Sequence, residues 1–275
     1  MTDLDAIRAI AVATGQEDSV DGGFPAYLRH LMDHGTFLVA VRGEAVTGYG
    51  AALPIGAGAR AVSMLADLFI DPREQGSGIG RAILTGLWRD EPRRMTFSSL
   101  NARALPLYTS FGLDAWWPLL YLSGPVARLS PQAGWSVSAA GATEAAAIEL
   151  GWTGCDRTAD YELLTSRPGG TGVVASLNGR PVAVGAAGVT GSELTLSHLT
   201  SDPAATEPQA AEAVVAVLAR LEPASGQART YLPGPHPAVR PLLASGWKIS
   251  EFDLYMASTP ELIDPRRSAP APGLA

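Results

Sequence analysis

The sequence has little of what several classes of protein require. It contains one cysteine, Cys155, in 275 residues, which excludes an internal disulfide and a metal site made of cysteines alone. No apolar run approaches the roughly 18 residues of a membrane span, and residues 1–5 lack the charged-then-apolar layout of a signal peptide. The formal net charge of −7 argues against a nucleic-acid partner. These absences favour a cytoplasmic protein with neither a membrane nor a nucleic-acid partner.

Composition and patterning indicate a globular chain of mixed α+β structure. Hydrophobic residues make up 47% of the sequence, and 275 residues suffice for one or two domains with proper cores. The spacing of apolar residues in the first 124 residues alternates between helical and strand periods. Helices are predicted over 4–13, 24–34, 79–88 and 102–111, and strands over 37–41, 46–53, 61–70, 94–98 and 115–123.

The most informative stretch is the run Gln75-Gly76-Ser77-Gly78-Ile79-Gly80-Arg81, between a predicted strand and a predicted helix. Backbone N–H groups at a helix N-terminus lack intrahelical partners, and glycine lets a phosphate approach them closely. The run is not a Walker loop, since Gly80 is followed by Arg81 and Ala82, and its glycine spacing is not that of a dinucleotide fingerprint. Taken alone, it leaves a phosphate site and a ligand-free glycine turn equally open.

A second motif decides between these two interpretations. Residues 101–113 read Asn101-x-x-Ala104-x-x-Leu107-Tyr108-x-x-x-Gly112-Leu113. Together with Gln75-x-x-Gly78-x-Gly80, this motif resembles the GNAT superfamily of acetyl-CoA-dependent N-acetyltransferases. The chain departs from the family at Leu113, where phenylalanine is common, and in lacking the usual strand before its first helix.

The resemblance implies acetyl-CoA as co-substrate and a role for residues of both motifs. The backbone of Leu68, Phe69 and Ile70 would pair with the pantetheine arm, and Asn101 would hydrogen-bond the pantetheine or a water. Tyr108 would act as the general acid, since a phenol with a pKa of about 10 stays protonated at neutral pH. The residues that would hold the pyrophosphate are Gln75, Gly76, Ser77, Gly78, Ile79, Gly80 and Arg81.

The second half of the sequence resembles a degenerate copy of the first. Asp202-Pro203 parallels Asp71-Pro72, and residues 238–247 parallel residues 104–113. The glycine turn is not repeated, and Glu207 would present the wrong charge to a phosphate. The sequence therefore predicts two GNAT-like domains, each a mixed, mostly antiparallel twisted sheet flanked by helices. Their extents are 1–124 for a catalytic, CoA-binding domain, 133–258 for a domain without a CoA motif, and 259–275 for a flexible Pro/Ala-rich tail.

The sequence offers no evident general base. In the family this group often lies on the strand before the glycine turn, where Met64 and Ala66 cannot accept a proton. Strand alternation predicts that Asp67 points to the opposite face, so it is interpreted as a hydrogen-bonded carboxylate at a strand edge. Two histidines, His30 and His34, share a helix face without an evident third metal ligand and are interpreted as solvated. No metal is expected, and proton removal through water or an amine that arrives neutral stays open.

Candidates for the acceptor pocket are Phe24, Tyr27, His30 and Trp116. Because Trp116 and Trp117 are adjacent on a strand, at most one of them can face the pocket, and core packing is an equally open role. The predicted function is transfer of an acetyl group from acetyl-CoA to a primary amine of a small molecule in a ternary complex. The alternatives are a CoA-binding sensor without catalysis and a scaffold in which neither half binds CoA. Neither the acceptor nor the oligomeric state can be predicted.

Overall fold

A computed structural model of the chain describes residues 3–15, 24–58, 61–190, 193–221 and 225–274. Every helix and strand predicted for the first half is present within a few residues of its expected bounds. The helices are α1 (Asp3–Ala13), α2 (Phe24–His34), α3 (Ile79–Leu87) and α4 (Ala104–Ser110). The strands are β1 (Thr36–Arg42), β2 (Ala45–Ile55), β3 (Val62–Ile70), β4 (Arg94–Ser98) and β5 (Asp114–Pro125).

The second half repeats this order of elements, as the sequence comparison predicts. Its helices are α5 (Ala142–Thr153), α6 (Thr158–Thr165), α7 (Glu207–Arg220) and α8 (Val239–Ala244). Its strands are β6 (Trp135–Ala140), β7 (Thr171–Leu177), β8 (Arg180–Thr190), β9 (Glu193–Ser201), β10 (Gln227–Pro233), β11 (Lys248–Ala257) and β12 (Ser268–Ala269). Strand β6 has no counterpart ahead of α1 within the described residues, in agreement with the missing first strand. No helix in the same residues is long and apolar enough to cross a membrane.

All twelve strands belong to one sheet instead of the two that the sequence predicts. The order is β1-β2-β3-β4-β11-β5-β10-β9-β8-β7-β6, with β12 on β9. Strand β11, from the second half, lies between β4 and β5, while β5 lies between β11 and β10. Strand β5 of the first half and strand β11 of the second half are therefore each inserted among strands of the other half, so the predicted boundaries at 124 and 133 do not separate two sheets.

In the described part of the chain, two neighbouring pairs of strands are parallel, and the pairing of both ends after a short ladder. Strand β3 pairs with β4 through three positions, Ser63–Leu65 opposite Arg94–Thr96. Strand β9 pairs with β10 through three positions in the same way, 194–196 opposite 228–230. Beyond each ladder the strands diverge, which leaves one edge of β3 and one edge of β9 without a parallel partner. These two openings occupy equivalent places in the two halves.

The helices cover both faces of the sheet with apolar side chains at helical spacing. On one face of the first half, α3 and α4 bury Ile83, Leu84 and Tyr108 against β2 and β3. On the other face, α1 and α2 pack around Tyr49. In the second half, α7 is buried along much of its length, because its residues 213–218 are all apolar. A further cluster joins the halves between α2 and α6.

The prediction of a flexible tail over residues 259–275 is wrong for the described part of that segment. Residues 260–262 form a 3₁₀ turn, and β12 pairs with β9. Ala269, Ala271 and Leu274 are all buried. The composition predicts the wrong state because proline and alanine are common in frayed termini. Small apolar residues can also pack in narrow spaces of a folded chain, as Ala269 and Ala271 do here.

Candidate functional site

The glycine turn connects β3 to α3 in the geometry expected of an anion site. Gly76 and Gly78 have φ angles of +86° and +91°, a left-handed conformation that favours glycine. Gly78 is the N-cap of α3, and no side chain caps the helix there, so its first-turn N–H groups have no partner from a capping residue. A Cβ atom at either glycine would meet nothing within 4 Å, which leaves the backbone open to an approaching ligand.

Side chains around the turn hold it against the neighbouring elements. The Gln75 amide donates to the carbonyl of Ile70 at 3.3 Å, and its oxygen accepts from Arg103 at 2.7 Å. The Asn101 side-chain oxygen accepts from the backbone N–H groups of Arg103 and Ala104, at 2.9 and 3.2 Å. Gln75 and Asn101 therefore order the loops themselves, and the role of Asn101 toward pantetheine stays a prediction.

Two arginines give this end of the sheet positive charge. Arg81, in the first turn of α3, donates to the Ser110 hydroxyl at 3.0 Å and lies over the ring of Phe111. Arg103, exposed and bonded to Gln75, is a residue that the sequence interpretation missed. Its position two residues after Asn101 and close to the glycine run in space is visible only once α4 is folded back beside the turn.

The open edge of β3 lies directly before the glycine turn. After Leu65 the strand has no partner on its β4 side among the described residues. The three residues implied in pantetheine binding, Leu68, Phe69 and Ile70, lie in this part and are half-buried. A strand edge with unpaired N–H and C=O groups can accept an extended ligand as an added strand.

Tyr108 is buried on α4, one helix away from the glycine turn, with 6% of its surface exposed. Its ring packs edge-on against Trp88, at 6.5 Å between centroids. Burial, with the nearby charge of Asp67, raises the pKa of Tyr108 well above its usual value of 10. The phenol therefore keeps its proton at any physiological pH.

The orientation of Asp67 differs from the sequence prediction, and the cause is a β-bulge. Ala51 pairs with Asp67 and Ala52 with Leu65, so Ala66 is an extra residue in β3. Ala66 packs in the cluster that contains Tyr27, and Asp67 accepts a hydrogen bond from the Tyr27 hydroxyl at 3.1 Å. Ala66 and Asp67 thus share one side of the sheet, whereas simple alternation places them on opposite faces.

The surroundings of Asp67 make it the most perturbed carboxyl near the turn. Its carboxylate accepts a hydrogen bond from Tyr27 on α2, and its charge also acts on the phenols of Tyr49 on β2 and Tyr108 on α4. Its second oxygen, Oδ2, is buried and has no hydrogen-bond partner in the described part of the chain. Burial raises the pKa of Asp67 to about 7, while the hydrogen bond from Tyr27 opposes the rise. The carboxyl therefore exchanges its proton near neutral pH.

Of the four predicted acceptor residues, Phe24, Tyr27 and His30 all lie on α2, whereas Trp116 lies on β5. Phe24 is packed in the core between α1, α2 and β2. Trp116 is 41% exposed and donates from Nε1 to the Ala257 carbonyl at 3.0 Å, while Trp117 stacks on Tyr255 at 4.2 Å. Of the four, Tyr27 alone is bonded to Asp67.

His30 is buried rather than solvated, and it joins the two halves. Its Nε2 lies 2.8 Å from the carboxylate of Asp160 on α6, which also pairs with Arg157 at 3.1 Å. The prediction of a solvated His30 is therefore wrong, because α6 packs against α2 at that position. His34 is exposed beside it, with 4.9 Å between the ring centroids. Among the described residues, no three histidine, cysteine or acidic side chains are grouped as a metal site.

The second half presents different chemistry at the equivalent positions. Helix α7 begins with a capping box, in which Thr206 and Gln209 satisfy each other's backbone N–H groups. The counterpart of Asp67, by alignment of Asp71-Pro72 with Asp202-Pro203, is His198, which also follows a bulge. His198 lies 3.0 Å from the buried carboxylate of Glu149. Burial raises the pKa of Glu149, but the charge and hydrogen bond of His198 outweigh burial and lower it to about 2.

Comparison with known protein families gives a match in the first half of the chain. Residues 33–112, which include the glycine turn, Asn101 and Tyr108, match the family model of the acetyltransferase (GNAT) domain. No protein with a curated description matches the sequence.

Solved structures match the fold over most of the chain at low identity. A putative acetyltransferase from Pyrococcus horikoshii has a TM-score of 0.71 at 14% identity, over 99% of this chain and 92% of that one. A GCN5-related N-acetyltransferase from Anabaena variabilis has a TM-score of 0.62 at 15% identity, over 92% and 70%. A tandem GNAT protein from the clavulanic acid biosynthesis pathway has a TM-score of 0.55 at 15% identity, over 85% and 88%. Residues 33–112 therefore match an acetyltransferase (GNAT) domain, and the chain has a fold similar to that of a tandem GNAT protein.

Proposed function

We propose that the first half transfers an acetyl group from acetyl-CoA to a primary amine of a small molecule. One observation carries the proposal: Asp67 and Tyr108 lie within electrostatic reach of each other, beside the open edge of β3. The Asp67 carboxyl exchanges its proton near neutral pH, and the Tyr108 phenol keeps its proton over the physiological pH range. Amide formation needs such a pair, because a proton leaves the amine and a proton reaches the departing thiolate.

The residues present fit acetyl-CoA, which would supply the activated acetyl group when bound. The uncapped first turn of α3 and the two left-handed glycines suit the pyrophosphate. Arg81 and Arg103 add positive charge nearby for the phosphates. The edge of Leu68, Phe69 and Ile70 offers backbone groups to the amide-containing arm.

Asp67 is proposed as the general base. Its free Oδ2 is the one that accepts the proton, because Oδ1 is occupied by the Tyr27 hydroxyl. A base with a pKa near the working pH combines a useful ionised fraction with sufficient basicity. The alternative of a CoA-binding sensor rests on the lack of an evident base and on the degenerate second half, and a carboxyl on β3 supports catalysis over that alternative.

Tyr108 is proposed as the general acid. Its burial and the neighbouring carboxylate keep the phenol protonated until a strongly basic thiolate develops beside it. Its position on α4 is set by the packing of Trp88 against its ring.

The proposed acceptor is small because Asp67 is 9% exposed, with Oδ2 buried and Oδ1 bonded to Tyr27 of α2. A folded protein surface could not reach a carboxyl so enclosed without rearrangement. The net charge of −7 suits a cationic amine but does not select among amines. A cytoplasmic setting, without nucleic-acid or membrane partners, is part of the same proposal.

The first test is Tyr108→Phe in the full chain. We expect turnover to fall by at least about tenfold, because an acid–base group typically contributes 10²–10⁴-fold and water can replace part of it. Acetyl-CoA binding by isothermal calorimetry should stay within about twofold of the wild-type value, since the ring and its packing on Trp88 remain. Unchanged turnover across a panel of amines would remove Tyr108 from the mechanism, and loss of acetyl-CoA binding would point to a structural role.

A further inference from the structure

The opening between β9 and β10 in the second half is filled by the chain itself. Strand β12 pairs antiparallel with β9, Ser268 opposite Thr200 and Ala269 opposite Leu199. Because β8 occupies the other edge of β9 along its whole length, β12 must lie on the edge that β10 has left. The Ser201 N–H donates to the carbonyl of Arg267 at 2.9 Å, which extends the pairing by one residue.

The partners of β12 are the counterparts of the proposed pantetheine residues. With Asp71-Pro72 aligned on Asp202-Pro203, the residues Leu199, Thr200 and Ser201 correspond to Leu68, Phe69 and Ile70. A peptide strand that adds to a sheet edge uses the same backbone groups as an amide-containing ligand arm. The second half therefore holds a segment of this chain where the first half would hold pantetheine.

The loop that replaces the glycine turn presents oxygen acceptors instead of N–H donors. These acceptors bind two arginines of the segment that contains β12. The Arg267 guanidinium donates to the carbonyls of Asp202, at 3.3 Å, and Ala205. Arg266 pairs with both carboxylate oxygens of Glu207, at 2.9 Å each. Glu207, which is unsuited to a phosphate, is thus suited to the segment that is present.

Beyond β12 the segment crosses to the first half and reaches the proposed site. Ala271 and Leu274 are buried in the cluster that joins the halves, with Leu31 of α2 among its members. The Leu274 carbonyl accepts from buried Arg157 at 3.1 Å, and Arg157 pairs with Asp160.

The last step of the path is a contact with Tyr27. A Cβ atom added to Gly273 would lie 2.8 Å from the Tyr27 hydroxyl and 3.3 Å from two of its ring carbons. Because a Cβ atom at position 273 would overlap the Tyr27 side chain, the present position of Tyr27 requires glycine at 273. That position is the one from which Tyr27 donates to Asp67.

We propose that residues 264–274 form a strap, anchored where the second half would otherwise hold a cofactor, which positions Tyr27 and through it Asp67. The strap residues Arg267 and Gly273 are positioning residues for the reaction. The inference rests on the proposed function only in treating Asp67 as the base. The Tyr27 hydroxyl contacts Asp67, the charge of Asp67 also acts on Tyr49 and Tyr108, and Arg167 of the second half acts on Tyr27.

The test is a titration of the Asp67 carboxyl by carbon-13 NMR in the full chain, with the signal assigned by Asp67→Asn. The hydrogen bond from Tyr27 lowers the pKa of Asp67, so Tyr27→Phe should raise it. A hydrogen bond of ordinary strength corresponds to about a fivefold change in the equilibrium, a shift of about 0.7. Gly273→Ala should cause an upward shift of similar size, because the added methyl displaces Tyr27.

A double variant and a control make the test specific. Gly273→Ala in the Tyr27→Phe background should add little further shift, since both changes break one hydrogen bond. Arg267→Met, six residues away, should shift the pKa in the same direction by loosening the anchor. The control is Gly151→Ala, at an exposed position on α5 where an added Cβ meets nothing within 4 Å.

The outcomes separate the inference from the proposed function. If Gly273→Ala and Arg267→Met leave the titration of Asp67 unchanged while Tyr27→Phe moves it, the strap does not position Tyr27. Additive shifts in the double variant would also overturn the inference. Failure of the proposed function would appear elsewhere, as full turnover in Asp67→Asn, and would leave the titration results standing.

Discussion

Asp67 owes its candidate role to its surroundings rather than to its place in a motif. One extra residue in β3 turns it toward α2, where Oδ2 is buried and Oδ1 accepts a hydrogen bond from Tyr27. The cost of burying a charge favours the protonated form, and one hydrogen bond from Tyr27 compensates only in part. A carboxyl in such a position can take up and release a proton near pH 7.

The pH dependence of activity follows from this carboxyl. We expect kcat/KM to rise from pH 6 to pH 8 with a midpoint near 7, because the base must be ionised. Asp67→Asn should lower turnover by about 10²-fold or more and abolish the midpoint near 7. A residual slope in the variant would report ionisation of the amine, so the comparison isolates Asp67.

The same variant should be more stable than the wild type above neutral pH. The pKa of Asp67 is raised in the folded state, so its protonation stabilises the fold most below pH 4, and this contribution is lost as the pH rises through 7. The difference between its ordinary pKa of 3.8 and about 7 corresponds to roughly 4 kcal/mol as an upper figure. Urea denaturation at pH 5 and pH 8 measures the part lost above pH 5, about 3 kcal/mol, and a variant no more stable at pH 8 than at pH 5 relative to wild type would contradict the assignment.

The positions that the sequence could predict are those set by local structure. The turn at Gly76 and Gly78 follows from turn chemistry, and the place of Tyr108 on α4 follows from a motif within one helix. Asp67 and His30 could not be predicted, because their roles depend on a bulge and on α6 of the other half. Period-2 alternation, applied to Asp67, gave the wrong face for that reason.

At the scale of elements, α3 and α7 are equivalent helices that begin in opposite ways. Gly78 leaves the first turn of α3 without a side-chain cap, whereas Thr206 and Gln209 close the first turn of α7. An uncapped start is less stable for the helix but keeps N–H groups available for an anion. In the proposed function, the same difference favours a pyrophosphate at the start of α3 over the start of α7.

Two matched variants test this contrast. Gly78→Ala should weaken acetyl-CoA binding by tenfold or more, because a φ of +91° is strained for alanine and the turn must move. Thr206→Ala should cost about 1 kcal/mol of stability through loss of the cap and leave acetyl-CoA binding unchanged. Calorimetric binding and urea denaturation of both variants provide the readouts, and weakened binding in Thr206→Ala would place a CoA site in the wrong half.

Long elements with a clear period were predictable, and short or exchanged ones were not. Helix α2 begins and ends at its predicted residues, as does strand β4. Strand β12 is two residues long and follows prolines, so it carries no period of its own. The exchange of β5 and β11 between halves leaves no mark in the sequence, because each strand meets an antiparallel neighbour wherever it is inserted.

At the scale of the whole molecule, the two halves are mutually dependent. Both hydrogen-bonded neighbours of β5 in the described sheet, β11 and β10, come from residues 227–257. The strap and the pair of His30 with Asp160 add further contacts across the same boundary. The second half therefore contributes to the first half's sheet as well as covering its site.

Separate expression of the two halves tests this dependence. Residues 1–124 alone should fail to fold cooperatively, because β5 loses the strand on each side of it and β4 loses β11. The unpaired edges should lead to aggregation. Co-expression of 1–124 with 125–275 should recover a soluble 1:1 complex, since all twelve strands are then present, with acetyl-CoA binding as evidence of a native first half. A monomeric 1–124 fragment with a sharp unfolding transition and intact acetyl-CoA binding would contradict this expectation. It would show that the first half folds without β10 and β11.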